Sequence, residues 1–354
     1  MRYDKKTFCT REKTRVVKVG DVKIGGGNPV VVQSMTKTFT ADVKSTVKQI
    51  EELQEVGCEI VRVAVPDFDS VSAIKEIKKR IKIPLVADIH FDYRLAIESI
   101  RNGADKIRIN PGNIGGEEKV KLVIEEAKKT RIPIRIGLNS GSLKVKHSEI
   151  VQKMRDTLRD YILLFNKYEF EDIVISAKAS DVMTTINIYQ EIAKRYNYPL
   201  HIGVTESGPI LSGSVKSSVG LGILLYEGLG DTIRVSLTGS PVEEVRVGYE
   251  ILKSLKLRKT GVEIISCPTC GRCRVDLPEV VASFEKEVVN KIKTNRCIKI
   301  AIMGCEVNGP GEAKEADIGV AFGRGMGLLF VKGKPIKKVL PKEVVKEILN
   351  MMKK

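Results

Sequence analysis

From residue 30 to about 257 the chain repeats one pattern. A short run rich in β-branched residues is followed by a turn, then by a stretch with apolar positions three and four apart. The runs are VVVQSMT (30–36), IVRVAVP (60–66), LVADIHF (85–91), KIRINPG (106–112), PIRIGLN (133–139), DIVISAKA (172–179), PLHIGVTE (199–206) and DTIRVSLTG (231–239). Val43, Val47, Ile50 and Leu53 mark the apolar face of the first intervening helix. Eight strands alternating with helices predict a parallel sheet, and eight is the number that closes a (β/α)8 barrel of the TIM type. The competing open, doubly wound sheet lacks its signature, because no GxGxxG follows the first strand and Gly25–Gly27 precede it.

Alternation within the strands carries further information. Ile107 and Ile109 oppose Arg108 and Asn110, and Ile134, Ile136 and Leu138 oppose Arg135, Gly137 and Asn139. Ile173 and Ile175 oppose Ser176 and Lys178, and Ile233, Val235 and Leu237 oppose Arg234, Ser236 and Thr238. Side chains alternate across a strand, so the apolar parity is expected to face the helices and the polar parity the barrel interior. Arg62, Asp88, His90 and Glu206 lie near the ends of their strands and join the polar set. Five cations (Arg62, Arg108, Arg135, Lys178, Arg234) against two acids are too costly to bury as structural charge. The excess points to a small polyanion, phosphate or diphosphate, whose oxygens arginine grips in bidentate fashion. The stretch SGPILSGSVKSS (207–218) reads as a loop suited to cradling a phosphate.

Beyond a short link, SLKLRKTG (254–261), the pattern changes to strand, helix, three strands and helix: VEIIS, LPEVVASFEKEVVNKI, IKIAIMG, DIGVAF, GLLFVKG and KEVVKEILNMM. Residues 1–258 are therefore assigned to the barrel and 259–354 to a small α+β domain. That domain holds SCPTCGRC (266–273) and MGCEVNGPGEA (303–313). A zinc ribbon wants a second CxxC, and a thioredoxin-like motif has no use for a third and fourth thiol. CxxCxxC with a distant cysteine matches the ligation of a four-iron cluster in bacterial-type ferredoxins, so the spacing favours iron–sulfur over zinc. Cys9, Cys58 and Cys297 read as packing or surface residues.

Composition narrows the class. Of 354 residues, 42% are hydrophobic and 29% charged, as in a soluble globular protein. No run of 18 apolar residues predicts a membrane span, and the N-terminus lacks the apolar core of a signal peptide; a cytoplasmic location is expected. Sixty Lys and Arg against 44 Asp and Glu give a net charge of +16, which suits an acidic substrate or a lysine-rich surface. Nucleic acid is disfavoured, since aromatics are 5%, Trp is absent and no basic–aromatic motif recurs.

SCPTCGR and MGCEVNGPGEA, joined to this barrel, resemble the (E)-4-hydroxy-3-methylbut-2-enyl diphosphate synthases, reductive enzymes of the non-mevalonate isoprenoid pathway. The resemblance extends through VVVQSMT, ADIHF, IRINPGN, RIGLNSGSL, SAKAS and GDTIRVSLTGSP. It implies a [4Fe–4S] cluster held by Cys267, Cys270, Cys305 and Glu312. It also implies the substrate 2-C-methyl-D-erythritol 2,4-cyclodiphosphate, whose ring two electrons open with loss of a hydroxyl, and flavodoxin or ferredoxin as donor. A carboxylate ligand is harder and more replaceable than a thiolate, so Glu312 can leave and free one iron as a Lewis acid. Cys273 departs from the family pattern and competes with Glu312 as fourth ligand. The resemblance makes Arg62, Arg108, Arg135, Lys178, Arg234 and Ser236 the diphosphate contacts, with Asn110 and Asn139 orienting it. It makes Glu206 the proton donor, assisted by Asp88 and His90; His201 reads as a structural strand residue.

Barrel helices return to the face opposite the strand ends, so the last one delivers the chain to the wrong side for its own mouth. A link of about five residues spans at most ~17 Å. A homodimer, with the cluster domain of one chain over the barrel mouth of the other, answers this constraint. The competing expectation is a phosphate-binding barrel fused to a ferredoxin-like electron carrier with no chemistry of its own. A zinc-stabilised RNA-associated protein is a more distant one.

Overall fold

The computed structural model describes residues 8–142, 146–259, 261–289, 297–307, 311 and 315–352. It divides into two compact units that meet between Arg258 and Lys259. The first opens with an antiparallel pair, β1 (Val17–Val19) and β2 (Val22–Ile24). Eight parallel strands follow: β3 (Val31–Met35), β4 (Ile60–Ala64), β5 (Leu85–Asp88), β6 (Lys106–Ile109), β7 (Ile134–Asn139), β8 (Ile173–Lys178), β9 (His201–Ile202) and β10 (Thr232–Ile233). Between and after them lie α1 (Val43–Glu55), α2 (Phe68–Arg80), α3 (Tyr93–Arg101), α4 (Pro111–Ile114), α5 (Glu117–Thr130), α6 (Ile150–Lys167), α7 (Val182–Ala193), α8 (Ile210–Tyr226) and α9 (Pro241–Ser254).

All eight sequence-predicted strands form, in the order β8-β7-β6-β5-β4-β3-β10-β9. The seventh and eighth are shorter than the sequence runs that predict them. The ends of the sheet meet through a single bridge, Ile175 to Leu200. Tyr189 of α7 reinforces this seam: its hydroxyl accepts from the Ala177 N–H at 3.1 Å and donates to the His201 carbonyl at 2.6 Å. The barrel thus closes with a side chain standing in for part of a ladder.

Helix starts follow from the turn chemistry. Asp42, Asp67 and Asp181 each accept a backbone N–H from the first turn of α1, α2 and α7, satisfying a donor with no intrahelical partner. The apolar parity of the strands packs against the helices in one large core that includes Ile50, Leu53, Ile74, Ile107, Ile134, Ile173 and Ile233. The β1–β2 pair, which strand alternation did not reveal, plugs the N-terminal end of the barrel. Val17, Val19 and Ile24 pack there on Val31, Ile60, Val86 and Val174. The apolar side chains of this hairpin therefore close the floor of the barrel.

SGPILSGSVKSS is not a loop: it is helical from Ile210 onward. Pro209 stands at the N-cap, and Gly213 and Gly220 lie on the buried side of α8, where a Cβ would press on Leu237 and Val204. The glycines that suggested a phosphate loop serve close packing of the helix instead.

The second unit contains β11 (Gly261–Ser266), α10 (Leu277–Val289), β12 (Cys297–Met303), β13 (Ile318–Phe322), β14 (Gly327–Val331), β15 (Lys334–Val339) and α11 (Val344–Met352). Its sheet runs β11-β12-β13-β14-β15, the first three strands parallel and the rest antiparallel. Phe284 of α10 and Val344 and Ile348 of α11 cover one face with Ile300, Ile302, Val320 and Phe322. β15 was missed from the sequence because KPIKKV is an edge strand whose first five residues are all exposed, with lysines that discourage further pairing.

Asp231, at the start of β10, is buried where it accepts from Thr14 Oγ1 at 2.9 Å and from the Leu200 N–H at 2.7 Å. Burial raises its pKa from 3.8 to about 6 despite those bonds. Between the two values the folded chain keeps a proton that the unfolded chain has released, so this group's contribution falls as pH rises through that window. Urea unfolding of the wild type and Asp231→Asn is expected to show the wild-type advantage shrinking by ~1–3 kcal/mol from below the window to above it. A difference independent of pH would contradict the assignment.

Candidate active site and thiol centre

The in-register parallel ladder places the polar parity side by side on consecutive strands. Asp88 pairs with Arg108, Arg108 with Arg135, and Asn139 with Lys178. Asp88 is the carboxylate at the centre of this group. Its Oδ2 lies 3.4 Å from Arg62 Nε and 3.6 Å from His90 Nε2, and its Oδ1 accepts from Arg108 at 3.1 Å. Burial alone would raise its pKa, but Arg62, His90, Arg108 and Arg135 outweigh it and hold the carboxyl well below the usual range. Arg108 also donates to the Gly137 carbonyl at 3.1 Å and contacts His90 Nε2 at 3.3 Å.

Positive charge remains in excess. Arg135 is 1% exposed, and its Nε and one terminal nitrogen have no hydrogen-bond partner among the described residues. Burial and the neighbouring guanidinium groups of Arg62 and Arg108 push its pKa well down. Burial lowers Arg62 to about 10 even with Asp88 beside it. Lys178 is buried and likewise pushed down, first by burial and then by Arg135 and Arg234. Unpaired buried donors of one sign, converging from adjacent strands, form a site that an anion would complete.

The structure brings together Arg62, Asp88, Arg108, Arg135 and Lys178, with Arg234 on the same parity. Asn110 is buried and caps α4 by accepting from the Gly112 N–H, while Asn139 and Ser236 are half-buried. His90 and Glu206 are exposed, His90 beside Asp88 and Glu206 past the end of β9. Glu206 adopts a left-handed backbone, φ 53°, a strained conformation for a residue with a side chain.

Three further polar residues lie in this interior, two of them, Lys106 and Glu244, not read from the sequence. Lys106 shares the parity of Arg108; it is fully buried, and its Nζ has no partner among the described residues. Glu244, on the first turn of α9, is also buried and reaches Arg234 at 3.4 Å, Lys37 at 3.3 Å and the Leu237 N–H at 3.1 Å. His201, read as a structural strand residue, contacts Lys178 Nζ through Nε2 at 3.2 Å. Strand parity could have found Lys106 and His201. No local signal marks Glu244, whose role depends on a helix folding back over β10.

In the second unit, β11 and β12 run parallel, so the residues after each lie at the same sheet edge. Cys267 follows β11 and Gly304–Cys305 follow β12. The Gly304 N–H points at Cys267 Sγ at 3.4 Å, and Cys273, whose N–H donates to the Cys270 carbonyl, also packs against Gly304. A Cβ at Gly304 would lie 3.5 Å from Cys267 Sγ and collide with Cys273 Sγ. Cys270 is exposed, and Cys267, Cys273 and Cys305 are half-buried. Glu312 lies outside the described residues, and among those described no three ligating side chains already converge on one point. The chemistry of the donor set nevertheless fits a soft-metal centre, since thiolates favour iron–sulfur clusters and zinc.

A closed parallel barrel with a cationic interior, carried in one chain with a thiol-bearing α/β unit, defines a two-unit TIM-type barrel protein. The comparisons make this particular. Residues 14–249 match the GcpE TIM-barrel domain and residues 263–354 the GcpE protein C-terminal domain, and the chain belongs to the GcpE family. It is 54% identical to the 4-hydroxy-3-methylbut-2-en-1-yl diphosphate synthase (flavodoxin) of Clostridium acetobutylicum, over 96% of this chain and 98% of that relative. The enzyme of the same name from Caldicellulosiruptor saccharolyticus is also 54% identical, over 95% and 97% of the two chains. Among solved structures, dihydropteroate synthase of Xanthomonas albilineans superposes with a TM-score of 0.51 at 12% identity, covering 69% of this chain and 98% of that one. That likeness concerns the barrel fold alone.

Gly137 makes room for Arg108: a Cβ there would meet its Nε and lie 2.9 Å from its Cζ. Gly137→Ala is therefore expected to keep the far-ultraviolet circular dichroism of the wild type while weakening binding of inorganic pyrophosphate ~10-fold or more, measured calorimetrically. Unchanged affinity would remove Arg108 from the anion site.

Proposed function

We propose that this chain reduces 2-C-methyl-D-erythritol 2,4-cyclodiphosphate to (E)-4-hydroxy-3-methylbut-2-enyl diphosphate with electrons from flavodoxin. The observation that carries the reading is the buried cationic interior around Asp88, with Arg135 left unpaired, in a chain whose second unit supplies grouped thiols. Near-full-length relatives that bear the synthase name support it.

Arg62, Arg108, Arg135, Lys178 and Arg234 bind the diphosphate, and Ser236, Asn110 and Asn139 orient it. Asp88 fixes Arg62 and Arg108, so these guanidinium groups are set before substrate arrives, and it shares His90 as an assisting group. Glu206, held exposed on its strained turn, gives a proton to the departing hydroxyl, which leaves as water. Cys267, Cys270, Cys305 and Glu312 would hold a [4Fe–4S] cluster. Such a cluster, when bound, supplies the two electrons and a Lewis-acidic iron. Gly304 leaves room for the Cys273 sulfur close to Cys267.

Anaerobically purified protein is expected to contain about four irons and four acid-labile sulfides per chain and to turn over the cyclic diphosphate with reduced flavodoxin. Glu206→Gln should keep the iron and sulfide and lose ~10²–10⁴ in kcat. One zinc without sulfide would overturn the reductase. A full cluster with no turnover would favour the electron-carrier reading.

We also infer a homodimer in which each barrel mouth is served by the partner's cluster domain. Two observations support it. Arg258 is bound to the N-terminal end of its own barrel, donating to the Val30 carbonyl at 2.9 Å and pairing with Glu59 at 2.9 Å. The segment from Lys259 to the start of β11 at Gly261 then spans ~10 Å at most. Second, α8 exposes Leu211, Val215, Val219 and Ile223 at four-residue spacing, an apolar stripe that a second copy would cover. Val215→Glu with Val219→Glu is expected to convert a dimer to a monomer in sedimentation and to abolish turnover while each chain keeps its iron. A wild type that is monomeric and fully active would refute the arrangement.

A further inference from the structure

His201 is one residue into β9, on the inward parity, fully buried in the barrel. Its two ring nitrogens have separate partners: Nδ1 lies 2.7 Å from Thr232 Oγ1, and Nε2 lies 3.2 Å from Lys178 Nζ. As an ammonium Lys178 can only donate, so with that charge Nε2 is the acceptor, and the ring proton then sits on Nδ1 and is donated to Thr232. The imidazole is neutral in this tautomer. Burial and the surrounding Lys178, Arg135, Lys106 and Arg62 push its pKa well below the ordinary histidine value, which agrees with that state.

The geometry around the pair is built to hold it. Thr232 pairs in register with His201 across β10 and β9, so the partner of Nδ1 is fixed by the ladder. Lys178 and His201 come from β8 and β9, the strands joined by only one backbone bridge. Tyr189 spans that seam, bonded to the backbone of Ala177, next to Lys178, and to the carbonyl of His201 itself. Gly203, the next inward position on the same chain segment, leaves the space the lysine occupies: a Cβ there would stand 2.7 Å from Lys178 Nζ. His201 and the space at Gly203 thus meet the ammonium directly, while Tyr189 and Thr232 hold the histidine that does so.

We propose that His201 is a positioning residue that holds Lys178 in the orientation in which it contacts the diphosphate. The lysine ammonium is repelled by Arg135, Arg234, Arg62 and Arg108 alike, and without an acceptor its head would withdraw from these cations. The neutral Nε2 gives it one fixed hydrogen bond and leaves its remaining N–H groups for the anion. A carboxylate at this place would neutralise the lysine and weaken its hold on phosphate; an imidazole orients it without cancelling its charge. The proposal rests on the reading that Lys178 binds the diphosphate.

The test is binding of inorganic pyrophosphate to the cluster-loaded protein by calorimetry, with steady-state turnover of the cyclic diphosphate. His201→Phe, Lys178→Met, the double variant and His201→Gln are compared. His201→Phe is expected to raise the pyrophosphate Kd and the KM ~10-fold with kcat little changed, the effect of losing one bond to a charged group. Lys178→Met should cost at least as much, and the double variant no more than Lys178→Met alone, because the two residues act as one unit. His201→Gln, whose amide oxygen can accept from Lys178, should recover most of the affinity. Should His201→Phe fail to fold, Thr232→Val removes the Nδ1 partner instead and should weaken pyrophosphate binding ~3-fold, again with no effect on top of Lys178→Met. If His201→Phe binds pyrophosphate like the wild type, or if its loss multiplies with that of Lys178→Met, the positioning role is overturned while the substrate site stands. If Lys178→Met itself binds normally, the reading of Lys178 and this inference both fall.

Discussion

The arrangement of the barrel depends on the attraction between Asp88 and the guanidinium groups of Arg62 and Arg108. Removing several like charges from water into an apolar shell is expensive, and only a paired, hydrogen-bonded carboxylate makes it tolerable. Asp88 offsets part of the cost and gives two arginines fixed directions. Glu244 does the same for Arg234 and Lys37 from outside the strand layer, reaching in from α9. What neither acid pairs with directly are Arg135, Lys106 and Lys178, and these buried donors of one sign are what an anion would satisfy.

Glycine defines the free space in both units. At Gly137 and Gly203 it admits Arg108 and Lys178, and at Gly304 it admits the sulfur of Cys273 near that of Cys267. In each place a methyl group would occupy the volume that a functional side chain or a bound group needs. Both units also put their chemistry at the C-terminal ends of parallel strands. The cysteines after β11 and β12 stand in the same relation to their sheet as His90 and Asn110 do to the barrel strands. There the backbone leaves the ladder and side chains from neighbouring strands can converge.

Much of this was legible in order along the chain. The eight strands, their inward parity and the α1 stripe are local patterns of period 2 or 3.6, and the structure shows each of them. The misses have physical causes. SGPILSGSVKSS has the composition of a loop, but its glycines sit where α8 packs closely, so tertiary contact overrides propensity. KPIKKV pairs with β14 through its backbone while its side chains face water, leaving no hydrophobic alternation to read. The β1–β2 hairpin is too short to register as a periodic pattern.

By itself, then, the sequence determined the class of fold, the face on which each strand residue falls, and the residue types available for anion and soft-metal chemistry. These follow from side-chain alternation and spacing, which the chain carries locally. Only the tertiary structure decided which of those residues meet. It set Asp88 between two arginines, brought Glu244 to Arg234 from a later helix, and placed His201 against Lys178 across a seam closed by Tyr189. Such contacts depend on strand register and barrel closure, which sum over the whole core and appear in no single segment.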